Sequence, residues 1–112
     1  MEYKVRKNRL IYKNGIYINF KYAIEKPVEI DDILVFVLRV PTNIIFPNNA
    51  FAVKEGKLLW QIESDPRIPP SALNVYVGVV AENGKLFLQN YMGFIDVVDI
   101  NTGKIIRSYE SK

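Results

Sequence analysis

VYVGVVA-ENGK-LFLQN-YMG-FIDVVD-I-NTGK-IIRSYE, residues Val75 to Glu110, is the stretch that decides the fold. Its four β-rich runs, Val75 to Ala81, Leu86 to Asn90, Phe94 to Asp99 and Ile105 to Glu110, are separated by Glu82-Asn83-Gly84-Lys85, Tyr91-Met92-Gly93 and Asn101-Thr102-Gly103-Lys104. Asn-Gly favours a two-residue hairpin because both central residues of a type I′ turn need positive φ, which Asn and Gly tolerate. A turn centred on Asn83-Gly84 pairs Val79 with Leu88 and Ala81 with Leu86 on one face, Val80 with Phe87 on the other, and sets Tyr76 opposite Tyr91. The Asn101–Lys104 segment suits a longer turn with Gly103 in the left-handed region. The stretch therefore reads as an antiparallel meander with one apolar face and one mixed face.

Upstream, Ala50 to Lys54 and Leu58 to Ile62 make a hairpin about Glu55-Gly56, predicted to pair Phe51 with Trp60 and Val53 with Leu58. Trp60 shares a parity with Leu58 and Ile62, so it is expected to fill core space, the usual place of a large indole, rather than anchor a ligand. The run Ile33-Leu34-Val35-Phe36-Val37-Leu38-Arg39-Val40 is apolar on both parities, as in a strand covered on both sides; a buried helix is the alternative, against which stand its β-branched content and Pro41. Asp31-Asp32 makes a turn before it, and Pro27 bars a helix across Glu25 to Glu29. Ile44, Ile45 and Phe46, between turn residues, are expected to dock over the core.

The first hairpin runs from Val5 to Tyr12, turns at Lys13-Asn14-Gly15, and returns from Ile16 to Tyr22, with Ile11 opposite Ile18 and Tyr12 opposite Tyr17. It is basic as well as aromatic. Of the net charge of +3, residues 1–26 carry seven Lys/Arg against Glu2 and Glu25, a balance of +5, which leaves −2 for the rest. Such asymmetry suits an anionic partner, although edge strands also carry Lys and Arg to resist pairing with other chains.

The 112 residues suit one domain, residues 1–112, of mainly β class: a single antiparallel sheet or meander, or an open barrel-like sandwich, of about eight or nine strands, with helix at most a turn or two. No cysteine is present, so disulfides, zinc–thiolate sites and a cysteine nucleophile are excluded. Neither a signal-peptide core nor an apolar run approaching a membrane span occurs, and the expected setting is the cytoplasm.

Chemistry finds little to work with. Without histidine, Ser-His or Cys-His catalysis lacks its base, and a transition-metal site would need carboxylates alone. Asp96 and Asp99 fall on opposite parities, which does not hold a carboxylate pair across one cleft, and both are expected at turns or facing solvent. No Gly-rich nucleotide motif or Walker lysine is present. The expectation is a non-enzymatic protein without metal or cofactor.

The segments Ala50 to Ile62 and Phe94 to Ile106 each resemble the strand–turn–strand half of a PQQ-like β-propeller blade: an apolar strand, an acidic turn ending Gly-Lys, then aliphatics and an aromatic. Arg107 stands where that pattern, and Trp60 in the first copy, place the aromatic. The resemblance implies blade geometry and no PQQ site, and the chain is too short for a closed propeller of four or more blades. In type, the chain is also similar to small bacterial immunity proteins, single β-rich domains that neutralise a cognate toxin.

Binding remains. The first candidate is a protein-binding module, an immunity or inhibitor protein that occludes the active site of a partner such as a cognate toxin. Its face would combine Arg67, Ile68 and Leu73 of the proline-rich loop Ser64 to Asn74 with Tyr76 and Tyr91, since aromatics and Arg dominate binding hot spots. The alternative is nucleic-acid binding by the first hairpin, with Lys4, Arg6, Lys7, Arg9 and Lys13 on phosphates and Tyr12 and Tyr17 stacking on bases, although in that register the cations occupy both parities.

Overall fold

The structure, a computed structural model, describes residues 2–63 and 75–110. Twelve short strands among them form three antiparallel sheets. The first contains β1 (Tyr3–Arg6), β2 (Arg9–Tyr12) and β3 (Tyr17–Asn19). The central sheet holds β4 (Ala23–Ile24), β5 (Val28–Ile30), β6 (Ile33–Arg39), β7 (Ala50–Lys54) and β8 (Lys57–Gln61), with β4 and β5 both on β6. The last sheet is a four-strand meander of β9 (Tyr76–Glu82), β10 (Lys85–Asn90), β11 (Phe94–Val98) and β12 (Ile105–Glu110). The chain is thus mainly β, but in three sheets rather than one, with more and shorter strands than the eight or nine expected.

The sheets stack because β6 is apolar on both parities. Leu34, Phe36 and Leu38 pack with Phe51 and Val53 against Leu10, Tyr12 and Ile24 on the side of the first sheet. Ile33, Val35 and Val37 pack with Trp60 and Ile62 against Tyr76, Leu86, Leu88 and Val98 of the last. Alternate side chains of one strand therefore serve two cores, as a strand buried on both faces requires. Phe20 adds edge contacts to Phe36 and Phe51, with ring centroids 5.1 and 5.2 Å apart.

Turn chemistry sets the hairpins. Both residues of Asn83-Gly84, Glu55-Gly56 and Asp31-Asp32 have positive φ, the pattern of type I′ turns. Register follows expectation around Asn83-Gly84, with Val79 on Leu88, Val80 on Phe87 and Ala81 on Leu86. Elsewhere bulges correct it. In the last sheet Asn90 meets Tyr76 after a shift beyond Gln89, so Tyr91 is not the partner of Tyr76. In the central sheet Ala52 meets Trp60 while Val53 meets Leu58, which makes Leu59 the extra residue; Phe51 pairs with Gln61, not Trp60. That bulge sends Leu58 and Trp60 to opposite faces, and Leu58 is exposed whereas Trp60 and Ile62 are buried.

The amino-terminal region departs most from expectation. The run Val5 to Tyr12 breaks at a tight turn on Lys7-Asn8, with Lys7 at φ 53°, so that Arg6 pairs with Arg9. The next hairpin sits one residue out of the expected register, with Leu10 on Ile18 and Ile11 on Tyr17. Tyr12 Oη therefore points inward and Tyr17 outward. Of the three apolar residues expected to dock over the core, Ile44 and Ile45 are exposed and only Phe46 packs, beside Tyr22 at 6.0 Å between centroids.

Candidate binding faces

A stack of three sheets leaves two outer faces, and period-two alternation decides what each displays. On the first sheet the outward cross-strand rows are Lys4, Ile11 and Tyr17, and Arg6, Arg9 and Asn19. The turn at Lys7-Asn8 resets the alternation, so Lys4, Arg6 and Arg9 share one exposed face instead of dividing between two. The Arg9 guanidinium carbon lies 4.4 Å from the Tyr17 ring centroid, and Arg9 Nε donates to Asn19 Oδ1 at 2.8 Å. One planar cation is thereby held between an aromatic face and an amide. Lys7 is exposed at its turn. Lys13 pairs with Glu2 at 3.0 Å in solvent, a contact contributing little to stability. Among the described residues, Lys4, Arg6, Lys7 and Arg9 take part in no ion pair. A broad solvent-open concavity is lined by Glu2, Lys4, Arg6, Arg9, Ile11 and Lys13, with the Glu2 carboxylate at Lys13.

Tyr12, expected to stack on bases, belongs to the core. Its hydroxyl is buried beside the Gly56 backbone without a well-formed hydrogen bond. Burial raises its pKa, and the contact with Gly56 offsets part of that rise.

On the last sheet the outward rows are Val80, Phe87, Val97 and Arg107, and Gly78, Gln89, Ile95 and Tyr109. These form a mostly apolar face on which Val80 and Tyr109 are 39% and 42% exposed, Phe87 and Ile95 are half-buried and Val97 is buried beneath its neighbours. Two further exposed residues project from the β10–β11 turn, Tyr91 at 73% and Met92 at 58%. The turn is fixed by Asn90, whose Oδ1 accepts from the Met92 and Phe94 backbone N–H groups, both at 3.0 Å.

The structure separates Tyr76 from Tyr91. Tyr76 is 5% exposed and donates its hydroxyl to Asp96 Oδ2 at 2.5 Å, so it is a core residue and not a contact residue. Asp96 is itself wholly buried, against the expectation of a solvent-facing carboxylate, and also accepts from the Ser108 hydroxyl. The signal was present: Asp96 lies opposite Leu88, on the parity of Leu86 and Val98. Asp99 is a turn residue, as expected, and its Oδ1 accepts from Asn101 N at 2.8 Å and Thr102 N at 3.1 Å. Arg67, Ile68 and Leu73 lie outside the described residues.

Reading by residue type also missed Asn49, which is fully buried between the central and last sheets. Its Nδ2 donates to Leu38 O at 2.9 Å and Tyr76 O at 2.8 Å, while its Oδ1 accepts from Tyr76 N at 2.8 Å. The lone tryptophan joins the same two sheets. Trp60 Nε1 donates to Ile100 O at 2.8 Å, and its ring covers Gly103, where an added Cβ would stand 2.6 Å from Cδ2. Trp60 is thus structural, as expected. No group of three or more acidic residues among those described could hold a metal, and no described helix is long and apolar enough to cross a membrane.

The fold and its faces define a three-sheet antiparallel stack with a basic aromatic end and an apolar end. By sequence, the chain belongs to the family described as Domain of unknown function (DUF7957), whose model matches residues 1–109. No curated protein matches it.

Proposed function

We propose that the chain is a non-enzymatic protein-binding module that docks a partner protein on the outer face of its last sheet, acting as an inhibitor or immunity protein by occlusion. The observation that carries this reading is the uncovered array of Val80, Phe87, Ile95 and Tyr109, with Arg107 beside it and Tyr91 and Met92 projecting nearby. Contiguous apolar surface is unfavourable in water unless something covers it, and aromatic residues, Met and Arg are the types enriched at interfaces. Tyr supplies large contact area while losing little side-chain freedom, which suits a rigid sheet face, and Arg adds a directional charge. The matching surface on the partner would be apolar with a carboxylate placed for Arg107. A partner toxin in a bacterial cytoplasm is the setting this reading favours, and Arg67, Ile68 and Leu73 extend the same proposal to the proline-rich loop.

The test is a photo-crosslinking side chain placed at Tyr109 or, as a control, at Leu59 on the central sheet. A single heterologous adduct from position 109, weakened about tenfold or more by Tyr91→Ala with Val80→Glu at unchanged melting temperature, supports the reading. Adducts only between copies of the chain would make this face a self-association surface, and equal yields from both positions would end the proposal.

A further inference from the structure

The opposite end of the stack carries a second surface that the protein-binding reading does not use. We infer that the outer face of the first sheet binds single-stranded nucleic acid, with Lys4, Arg6 and Arg9 on phosphates and the Arg9–Tyr17 stack receiving a base. Charge complementarity and geometry both point this way. Lys4 and Arg6 are two residues apart on β1, hence about 7 Å apart along the strand. Arg9 lies across from Arg6, and Lys7 rims the same edge, so a line of cations crosses the sheet. Among the described residues no carboxylate pairs with Lys4, Arg6, Lys7 or Arg9, leaving their charge available to an incoming anion.

A built recognition element lies within this charge. Asn19 holds Arg9 at Nε, and Tyr17 lies 4.4 Å beneath the guanidinium, so the fork is oriented before any ligand arrives. Its terminal nitrogens match the oxygens of a phosphate, and planar guanidinium and phenol groups offer stacking surfaces to any base. Tyr17 is 53% exposed, and Ile11 lies beside it in the same cross-strand row. Three short strands give a face narrow enough to follow one extended backbone, with aromatic surface that a fully paired duplex would leave unused. An acidic protein would use the cations but gain little from the Tyr17 stack. That difference separates the two ligands.

The experiment is fluorescence anisotropy with the full chain and a labelled oligothymidylate, repeated with its duplex and with polyglutamate as competitor. Binding should weaken with salt at a log–log slope of about −2, since each of three phosphate contacts contributes about −0.7. Joint replacement Lys4→Gln, Arg6→Gln and Arg9→Gln should weaken binding at least about tenfold and flatten the slope, at unchanged melting temperature. Tyr17→Ala should weaken binding by about fivefold or more while leaving the slope in place, because stacking releases no counterions. Lys54→Gln with Lys57→Gln, on the central sheet, should change neither. No binding at low salt, equal affinity for duplex, or equal loss with the control pair overturns the assignment. If polyglutamate binds as tightly and Tyr17→Ala has no effect, the face serves an acidic protein instead.

Discussion

Tyr12 and Tyr17 differ by one step of register, and that step decides their chemistry. Tyr17 faces solvent under Arg9, whereas burial raises the phenol pKa of Tyr12 above its ordinary value. The folded state then holds the Tyr12 proton more tightly than the unfolded chain. Its contribution to stability is complete below the unfolded pKa, near pH 10, and is lost as pH rises through the higher folded value. Tyr12→Phe keeps the ring, removes a buried hydroxyl lacking a good partner, and removes the titration. Thermal melts across this range should show wild type losing stability more steeply than Tyr12→Phe above about pH 10. Parallel curves would assign the alkaline loss to another group.

Turns and strands show how far local chemistry reaches. Gly84 and Gly103 both sit in the left-handed region, at φ 74° and 76°, yet their surroundings differ. Nothing lies within 4 Å of a Cβ built on Gly84, while one on Gly103 would strike the Trp60 ring. Gly84→Ala should therefore cost the backbone term alone, about 1 kcal/mol, and Gly103→Ala roughly 2 kcal/mol or more, since overpacking adds to it. Urea denaturation measures both. Trp60 is the only tryptophan, so its emission should shift to the red in Gly103→Ala alone; equal losses without that shift would show that the ring does not depend on Gly103. The hairpins around Asn83-Gly84 and Glu55-Gly56 and the turn at Asp31-Asp32 were legible in sequence because two-residue turns demand particular residues. The hairpin at Lys7-Asn8 was not, since a lysine carries its positive φ.

For the whole molecule, the question is what keeps three small sheets one cooperative unit. Between the central and last sheets it is an apolar core crossed by polar ties that include Asn49 to Tyr76 and Trp60 to Ile100. Asn49→Ala would remove hydrogen bonds to Leu38 O, Tyr76 O and Tyr76 N together and should destabilise the fold by roughly 3 kcal/mol, because buried groups losing partners keep their desolvation cost. Equilibrium denaturation gives the magnitude. Hydrogen exchange at the Tyr76 amide should accelerate beyond the global change; exchange that merely follows global stability would mean that the tie is dispensable.

Sequence by itself determined the local rules: mainly β structure, the meander of the last sheet, the register at Asn83-Gly84, the two-sided burial of β6 and the core role of Trp60. Period-two alternation and turn preferences act over a few residues, so they can be read without knowing what lies opposite. Tertiary structure alone decided the rest. Bulges after Ala52 and Gln89 reassigned Leu58, Trp60, Tyr76 and Tyr91 to their faces, and a bulge is an accommodation between paired strands. Stacking chose Tyr12 and Asn49 for the interior, where each answers to a neighbour distant in sequence. It also left one basic and one apolar face uncovered, because which side of a sheet meets water depends on which sheet packs against it.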